Sequence, residues 1–103
     1  MKHRELLSFT RDLHRLTQAE RHSFIQVVQR DFHPACERFA TDPSSKWPQG
    51  LRIKRVQGVP GVWEMTWSFA GPDGRATFEW IEVDGELAVL WRRIGGHEIF
   101  GSP

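Results

Sequence analysis

The sequence predicts an α+β fold: an N-terminal helical hairpin packed on a twisted antiparallel sheet of about four strands. Two observations lead to this prediction. In the first part of the chain apolar residues recur every three or four positions, as on a helix face. In the second part they alternate with polar residues, as on strands. Since 103 residues suffice for one hydrophobic core but not two, we expect a single domain over residues 1–103.

The first predicted helix lies close to the N-terminus. Apolar residues from Leu6 to Leu16 recur at helical spacing and predict a short helix over residues 9 to 16. Residues 4 to 9 also fit a first strand that leads into this helix. The sequence leaves both readings open.

The second predicted helix has a clear start signal and an internal irregularity. Thr17 and Glu20 match a capping box, in which both side chains satisfy free amides at the helix start. The apolar stripe that follows predicts a helix from about residue 18 towards 40. Pro34 must kink or divide it near His33, because proline removes an amide donor and crowds the preceding turn.

The strands are predicted after a loop over residues 41 to 50, which is rich in proline and serine. Two of the connections between alternating runs end in Asp-Gly, a hairpin signal, and one of them is the turn from Ala70 to Asp73. The runs predicted as strands are 51–57, 62–69, 75–82 and 87–94.

The two faces of this sheet differ in character. Trp63, Met65 and Trp67 share one face of their strand, while Glu64 and Thr66 share the other. The apolar face is therefore expected to hold the helices. The polar face is expected to be lightly covered.

Composition limits the classes of function. No run of 18 or more apolar residues exists, and the N-terminus lacks the apolar core of a secretory signal, so we expect a cytoplasmic protein without a membrane partner. Cys36 is the single cysteine and is interpreted as a small buried hydrophobe. With 14 basic and 13 acidic residues, the net charge of +1 lacks the basic excess of most nucleic-acid clamps.

Arg75 and His97 are the candidate catalytic residues. Arg75 opens a strand directly after a turn, and His97 follows the last strand after Gly95 and Gly96. An arginine holds two phosphate oxygens at once, and a histidine exchanges protons near neutral pH, so together they suit cleavage of a ribose phosphodiester. Two other interpretations remain open: a charged pair that only solvates the sheet, and an ordinary surface histidine.

Further residues are assigned to the same polar face. Glu64 or Glu79 is a possible general base, or a partner that simply pairs with Arg75. The last strand adds either Arg92 or Arg93. No metal site is expected, because the histidines show no metal-ligand spacing with cysteines or carboxylates.

Four segments resemble the RelE/ParE superfamily of toxin–antitoxin toxins, and most closely an actinobacterial-type RelE-like branch. These segments are GLRIKRVQG, PGVWEMTW, DGRATF and WRRIGGHEIF, and the similarity covers roughly residues 17 to 100. The resemblance implies a cytoplasmic toxin, an mRNA interferase that cleaves messenger RNA on the ribosome without a metal or other cofactor. It also implies a cognate antitoxin protein as partner.

The resemblance also implies roles for particular residues. Arg75 matches the arginine that holds the scissile phosphate, and His97 matches the basic position that acts as acid or phosphate contact. Phe100 stands where the family often has a stacking tyrosine. Contacts to the RNA backbone are expected from Arg52, Lys54, Arg55, Arg92 and Arg93. The alternative is a non-catalytic module of the same fold that binds a protein, either the antitoxin or a topoisomerase.

Overall fold

The computed structural model describes residues 1–68 and 73–103, which form an α+β domain with helices on a five-stranded mixed sheet. Of the predicted turn from Ala70 to Asp73, only Asp73 lies within the described residues, and Phe69 lies outside them. The elements in chain order are β1 (His3–Glu5), α1 (Leu7–Arg15), α2 (Gln18–Val27), a π turn (Val28–Phe32), α3 (His33–Thr41), a 3₁₀ turn (Gln49–Leu51), β2 (Lys54–Arg55), β3 (Trp63–Ser68), β4 (Asp73–Val83), β5 (Glu86–Gly95) and a 3₁₀ turn (His97–Gly101).

The sheet order is β1-β5-β4-β3-β2. The pairs β2–β3, β3–β4 and β4–β5 are antiparallel, as predicted, whereas β1 is parallel to β5. The prediction of about four antiparallel strands is therefore corrected to five strands in a mixed sheet. β1 joins because β5 would otherwise be an edge with free amides and carbonyls. The backbone hydrogen bonds from Val89 to Lys2 and from Leu6 to Trp91 satisfy these groups.

Two element boundaries also differ from the prediction. A strand at His3–Glu5 precedes α1, so the strand alternative at the N-terminus is partly confirmed, and the helical hairpin does not open the fold. The first run predicted after the loop, 51–57, forms only the two-residue strand β2 after a 3₁₀ turn. Arg52 adopts a left-handed conformation (φ 46°) that ends this turn and interrupts the extended chain.

The second predicted helix is confirmed with its start and its irregularity. Glu20 N donates to Thr17 Oγ1 (3.1 Å), and Thr17 N donates to Glu20 Oε1 (2.9 Å), which completes the capping box. Helical structure then continues from α2 through the π turn into α3. In the π turn, the His33 amide donates to the carbonyl of Val28, five residues back. The helix thus contains one wider π turn directly before Pro34 and does not break there.

The core lies between the helices and the apolar sheet face. Phe32 is fully buried and contacts the rings of Phe78 (5.2 Å) and Trp91 (5.1 Å). Cys36 is buried beside them, and its burial raises the pKa of the thiol to about 12, consistent with a packing role. Within the described part of the chain, no helix has the length and apolar character to cross a membrane.

Candidate functional site

Strand pairing brings Arg75 and His97 to the same end of the sheet. On β4, Arg75 is paired with Thr66 of β3 and with Gly95, the last residue of β5. His97 follows Gly95 by two residues and begins the final 3₁₀ turn. The chain therefore turns back beside Arg75 directly after β5.

Arg75 and His97 line a cleft of about 210 Å³ on the polar sheet face, which we call the Arg75 cleft. Both residues also line an adjoining cavity of about 580 Å³, which extends towards α1. The complete lining of the Arg75 cleft is Arg52, Lys54, Glu64, Thr66, Arg75, His97 and Phe100. Six of the ten residues predicted for the site thus lie in one cleft.

The Phe100 ring contacts both Arg75 and His97 in the cleft. The Arg75 guanidinium carbon lies 5.7 Å from the centre of the Phe100 ring, within cation–π range. The His97 ring lies edge-on to the same ring, with 5.6 Å between the centroids. Phe100 therefore holds the guanidinium and the imidazole close to one another.

Arg75 has no carboxylate partner among the described residues, unlike four of the other predicted cations, namely Arg52, Lys54, Arg92 and Arg93. Its Nε is buried and makes no hydrogen bond there. By contrast, Arg52 Nη2 lies 2.8 Å from Asp73 Oδ2, and Lys54 Nζ lies 3.6 Å from Glu64 Oε1. A partly buried charge without a counter-ion is unfavourable, so the cleft is suited to an anionic ligand.

The turn that carries His97 depends on close packing at two glycines. A Cβ on Gly95 would lie 2.9 Å from Ile99 Cγ2, and one on Gly96 would lie 2.7 Å from Glu98 Oε2. Gly96 N donates to Glu98 Oε1 (3.0 Å), and hydrogen bonds from backbone amides lower the pKa of Glu98. Gly95 and Gly96 are therefore needed for the close approach of Glu98 and Ile99.

The structure does not bring Glu79, Arg92 and Arg55 to the Arg75 cleft. Glu79 lies four residues further along β4, about 13 Å away by strand rise, and forms an ion pair with Arg92. Arg92 Nε also donates to the Pro103 backbone oxygen. Arg55 stacks on Trp63, with its guanidinium carbon 5.4 Å from the ring centre. The role of base therefore fits Glu64, which is in the cleft, better than Glu79.

Arg93 is held by Asp12, a residue that the sequence analysis missed. Asp12 is 5% exposed and accepts hydrogen bonds from Arg93 Nε (2.6 Å), Arg93 Nη2 (3.1 Å) and Ile94 N (3.1 Å). The hydrogen bonds from Arg93 to Asp12 raise the pKa of Arg93. The sequence could have indicated a buried carboxylate here, because Asp12 follows Phe9 by three residues and therefore lies on the apolar side of α1.

Asp12 and Arg93 both line the adjoining cavity, where they connect α1 to the end of β5. The part of the chain described here holds no group of three or more histidine, cysteine or acidic side chains that could bind a metal ion. Comparisons with family models, curated proteins and solved structures gave no match.

Proposed function

We propose that this protein is the toxin of a toxin–antitoxin pair, a metal-independent endoribonuclease that cleaves messenger RNA at the Arg75 cleft. The observation that carries the proposal is the partly buried Arg75 guanidinium, which has no carboxylate partner within residues 1–68 and 73–103 and shares its cleft with His97. The order of helices and strands is compatible with the RelE-like resemblance, and the cytoplasm is where such an enzyme meets translated messenger.

The residues of the cleft can be assigned to each step of ribose phosphodiester cleavage. The 2′-hydroxyl gives its proton to Glu64 and attacks phosphorus, which forms a 2′,3′-cyclic phosphate and breaks the bond to the 5′-oxygen. His97 donates a proton to that leaving oxygen, so the charges balance. Arg75 binds the two non-bridging oxygens and stabilises the charge that develops on them.

Binding of the RNA is assigned to the rim of the cleft. Arg52 and Lys54 lie beside Arg75 and can contact the neighbouring phosphates after exchanging their carboxylate partners. The net charge of +1 gives little long-range attraction to a polyanion. We therefore propose that the ribosome positions the messenger and that the cleft supplies the chemistry.

Replacement of Arg75 tests this proposal. In cells that express the chain without an antitoxin, Arg75→Ala should lower messenger cleavage by about 10²-fold or more and relieve growth arrest, because one charged contact to the transition state is lost. Cleavage is measured by mapping new 5′-hydroxyl ends. The matched control is Arg11→Ala, which removes an exposed arginine of α1 that lines neither the Arg75 cleft nor the adjoining cavity and should cleave as the wild type does. Equal cleavage by the two variants would exclude the mechanism.

One observation favours a second candidate, a non-catalytic module that binds a protein partner such as an antitoxin or a topoisomerase. Most cations predicted to bind RNA are already neutralised by carboxylates, namely Arg52, Lys54, Arg92 and Arg93. Such a surface is less attractive to a polyanion than to a protein of mixed charge. Growth arrest with intact messenger would support this candidate, and arrest with cut messenger would support the nuclease.

A further inference from the structure

The 3₁₀ turn that carries His97 is attached to the sheet at both ends. At its start, Gly95 is paired with Arg75 of β4. Just after its end, the Ser102 backbone oxygen accepts a hydrogen bond from Arg93 Nη1 (3.1 Å). The place of His97 beside Arg75 therefore depends on contacts on both sides of the turn.

Thr77 supplies a further contact after the end of this turn. Its Oγ1 donates to the backbone oxygen of Pro103 (3.0 Å), which also accepts a hydrogen bond from Arg92 Nε (3.1 Å). Thr77 follows Arg75 by two residues on β4, so the two side chains lie on the same face of the sheet. Thr77 is fully buried there. The segment that follows His97 thus packs against the strand that carries Arg75.

The Thr77 hydroxyl has no second use in the described part of the chain, where its hydrogen bond to Pro103 is the only one it makes. Arg92 and Arg93 differ, because each also forms an ion pair with a carboxylate elsewhere in the fold. A valine would suit a buried strand position as well as a threonine does, and it would need no hydrogen-bond partner. The hydroxyl at position 77 is therefore needed for the segment after the turn rather than for the sheet.

The turn has one buried side chain to hold it between these attachments. Of its five residues, His97–Gly101, only Ile99 is buried. Ser102 N donates to the Ile99 backbone oxygen (3.0 Å), which links the end of the turn to that residue. A misplacement of about 1 Å can lower the rate of an enzyme by about 10²-fold. Loosening the end of the turn should therefore impair the action of His97.

We propose that Thr77 is a positioning residue for the cleavage reaction. Its hydroxyl fixes the segment after the 3₁₀ turn, so that the His97 imidazole stays beside the Arg75 guanidinium. This inference rests on the proposed function, in which His97 donates a proton to the leaving oxygen. Thr77 lines neither the Arg75 cleft nor the adjoining cavity, so it acts through the turn and not on the RNA.

Two substitutions in the intact protein separate the hydroxyl of Thr77 from its shape. Thr77→Val removes the hydroxyl and keeps the branched side chain, whereas Thr77→Ser keeps the hydroxyl. Heteronuclear NOE values measured by NMR report how rigidly residues 97–102 are held. We expect Thr77→Val to lower these values over residues 97–102 and to leave those of β3 unchanged. Thr77→Ser should keep the wild-type values in both segments.

Single-turnover cleavage of a defined messenger in a reconstituted translation system tests the link to His97. Thr77→Val should lower the rate by about tenfold, and Thr77→Ser should stay within about twofold of the wild type. In a His97→Ala background, Thr77→Val should lower the residual rate by less than about twofold, because the residue through which Thr77 acts is absent. A merely structural role would lower both rates by the same factor.

Any of three results would overturn the proposal. The first is a Thr77→Val variant whose NOE values or cleavage rate equal those of the wild type. The second is an equal effect of Thr77→Val with and without His97. The third is a Thr77→Ser variant as defective as Thr77→Val. A wild-type protein that cleaves no messenger would instead exclude the proposed function, and the NOE values would then decide alone whether Thr77 holds the turn.

Discussion

Arg75 and Arg93 lie on neighbouring strands and line the same cavity, but their surroundings differ. Arg93 donates two hydrogen bonds to the buried carboxylate of Asp12 and a third to the Ser102 backbone oxygen. Arg75 makes only a ring contact with Phe100 within the described residues. The Arg93 guanidinium is thus bonded within the fold, whereas Arg75 Nε has no hydrogen-bond partner in the described part of the chain.

Two arginines on adjacent interior strands of one sheet therefore differ in what the fold provides for them. Breaking a buried ion pair is costly because the remaining group keeps its charge and loses its partner. Removing an unpaired charge carries no such penalty. The two arginine sites should therefore respond in opposite ways to mutation, one in stability and the other in activity.

The largest effect on stability is expected for Asp12→Ala. This change leaves Arg93 and the amide of Ile94 without their acceptor, and it should lower the free energy of unfolding by about 3 kcal/mol. The value lies at the low end for a buried pair because the Arg93 side chain remains 23% exposed. Urea denaturation followed by tryptophan fluorescence measures it.

The matched control for Asp12→Ala is Glu82→Ala, which removes an exposed carboxylate from β4 and should change the free energy of unfolding by less than about 0.5 kcal/mol. Arg75→Ala should cost less than about 1 kcal/mol, the scale of a cation–π contact. The distinction between the two arginine sites would be lost if Arg75→Ala destabilised the protein as much as Asp12→Ala does.

A smaller effect is expected for Gly95→Ala, which tests how the turn positions His97. The new methyl group would lie 2.9 Å from the Cγ2 atom of the buried Ile99, so the 3₁₀ turn must move. We expect a loss of about 2 kcal/mol in the free energy of unfolding, together with lower cleavage activity. Gly101→Ala is the control, because nothing lies within 4 Å of its added Cβ. Equal free energies of unfolding and equal cleavage activities of the two variants would show that the turn tolerates displacement.

Local signals in the sequence were sufficient for much of the fold. The capping box at Thr17 depends on neighbouring residues, and the structure confirms it, whereas the irregularity predicted at Pro34 takes the form of a π turn that ends two residues before it. Alternation and turn residues likewise predicted β3, β4 and β5, and their pairing places Arg75 beside the start of the last turn. These features were predictable because their physical cause lies within a few residues.

Features that depend on distant parts of the chain were not predicted. The parallel pairing of β1 with β5 joins His3 to Val89, and no local pattern indicates a partner so far along the chain. The ion pair between Asp12 and Arg93 likewise joins two residues that are far apart along the chain. A register shift between Thr77 and Phe78 changes the pairing along β4 and β5, and Arg92 pairs with Glu79 beyond it. The sequence shows which cations exist but not which carboxylates neutralise them.

The smallest predicted effect concerns the hydrogen bond between Glu98 and Gly96 in the turn that carries His97. Because backbone amides lower the pKa of Glu98 below its ordinary value of 4.5, its stabilising contribution is present above that value and is lost as the pH falls through the lowered pKa. The amide shift of Gly96, followed by NMR during acidification, should therefore titrate with a midpoint below 4.5. Glu98→Gln should remove this transition. A midpoint at or above 4.5 would mean that the turn is not held by the carboxylate, and that His97 is positioned by the other contacts of the turn.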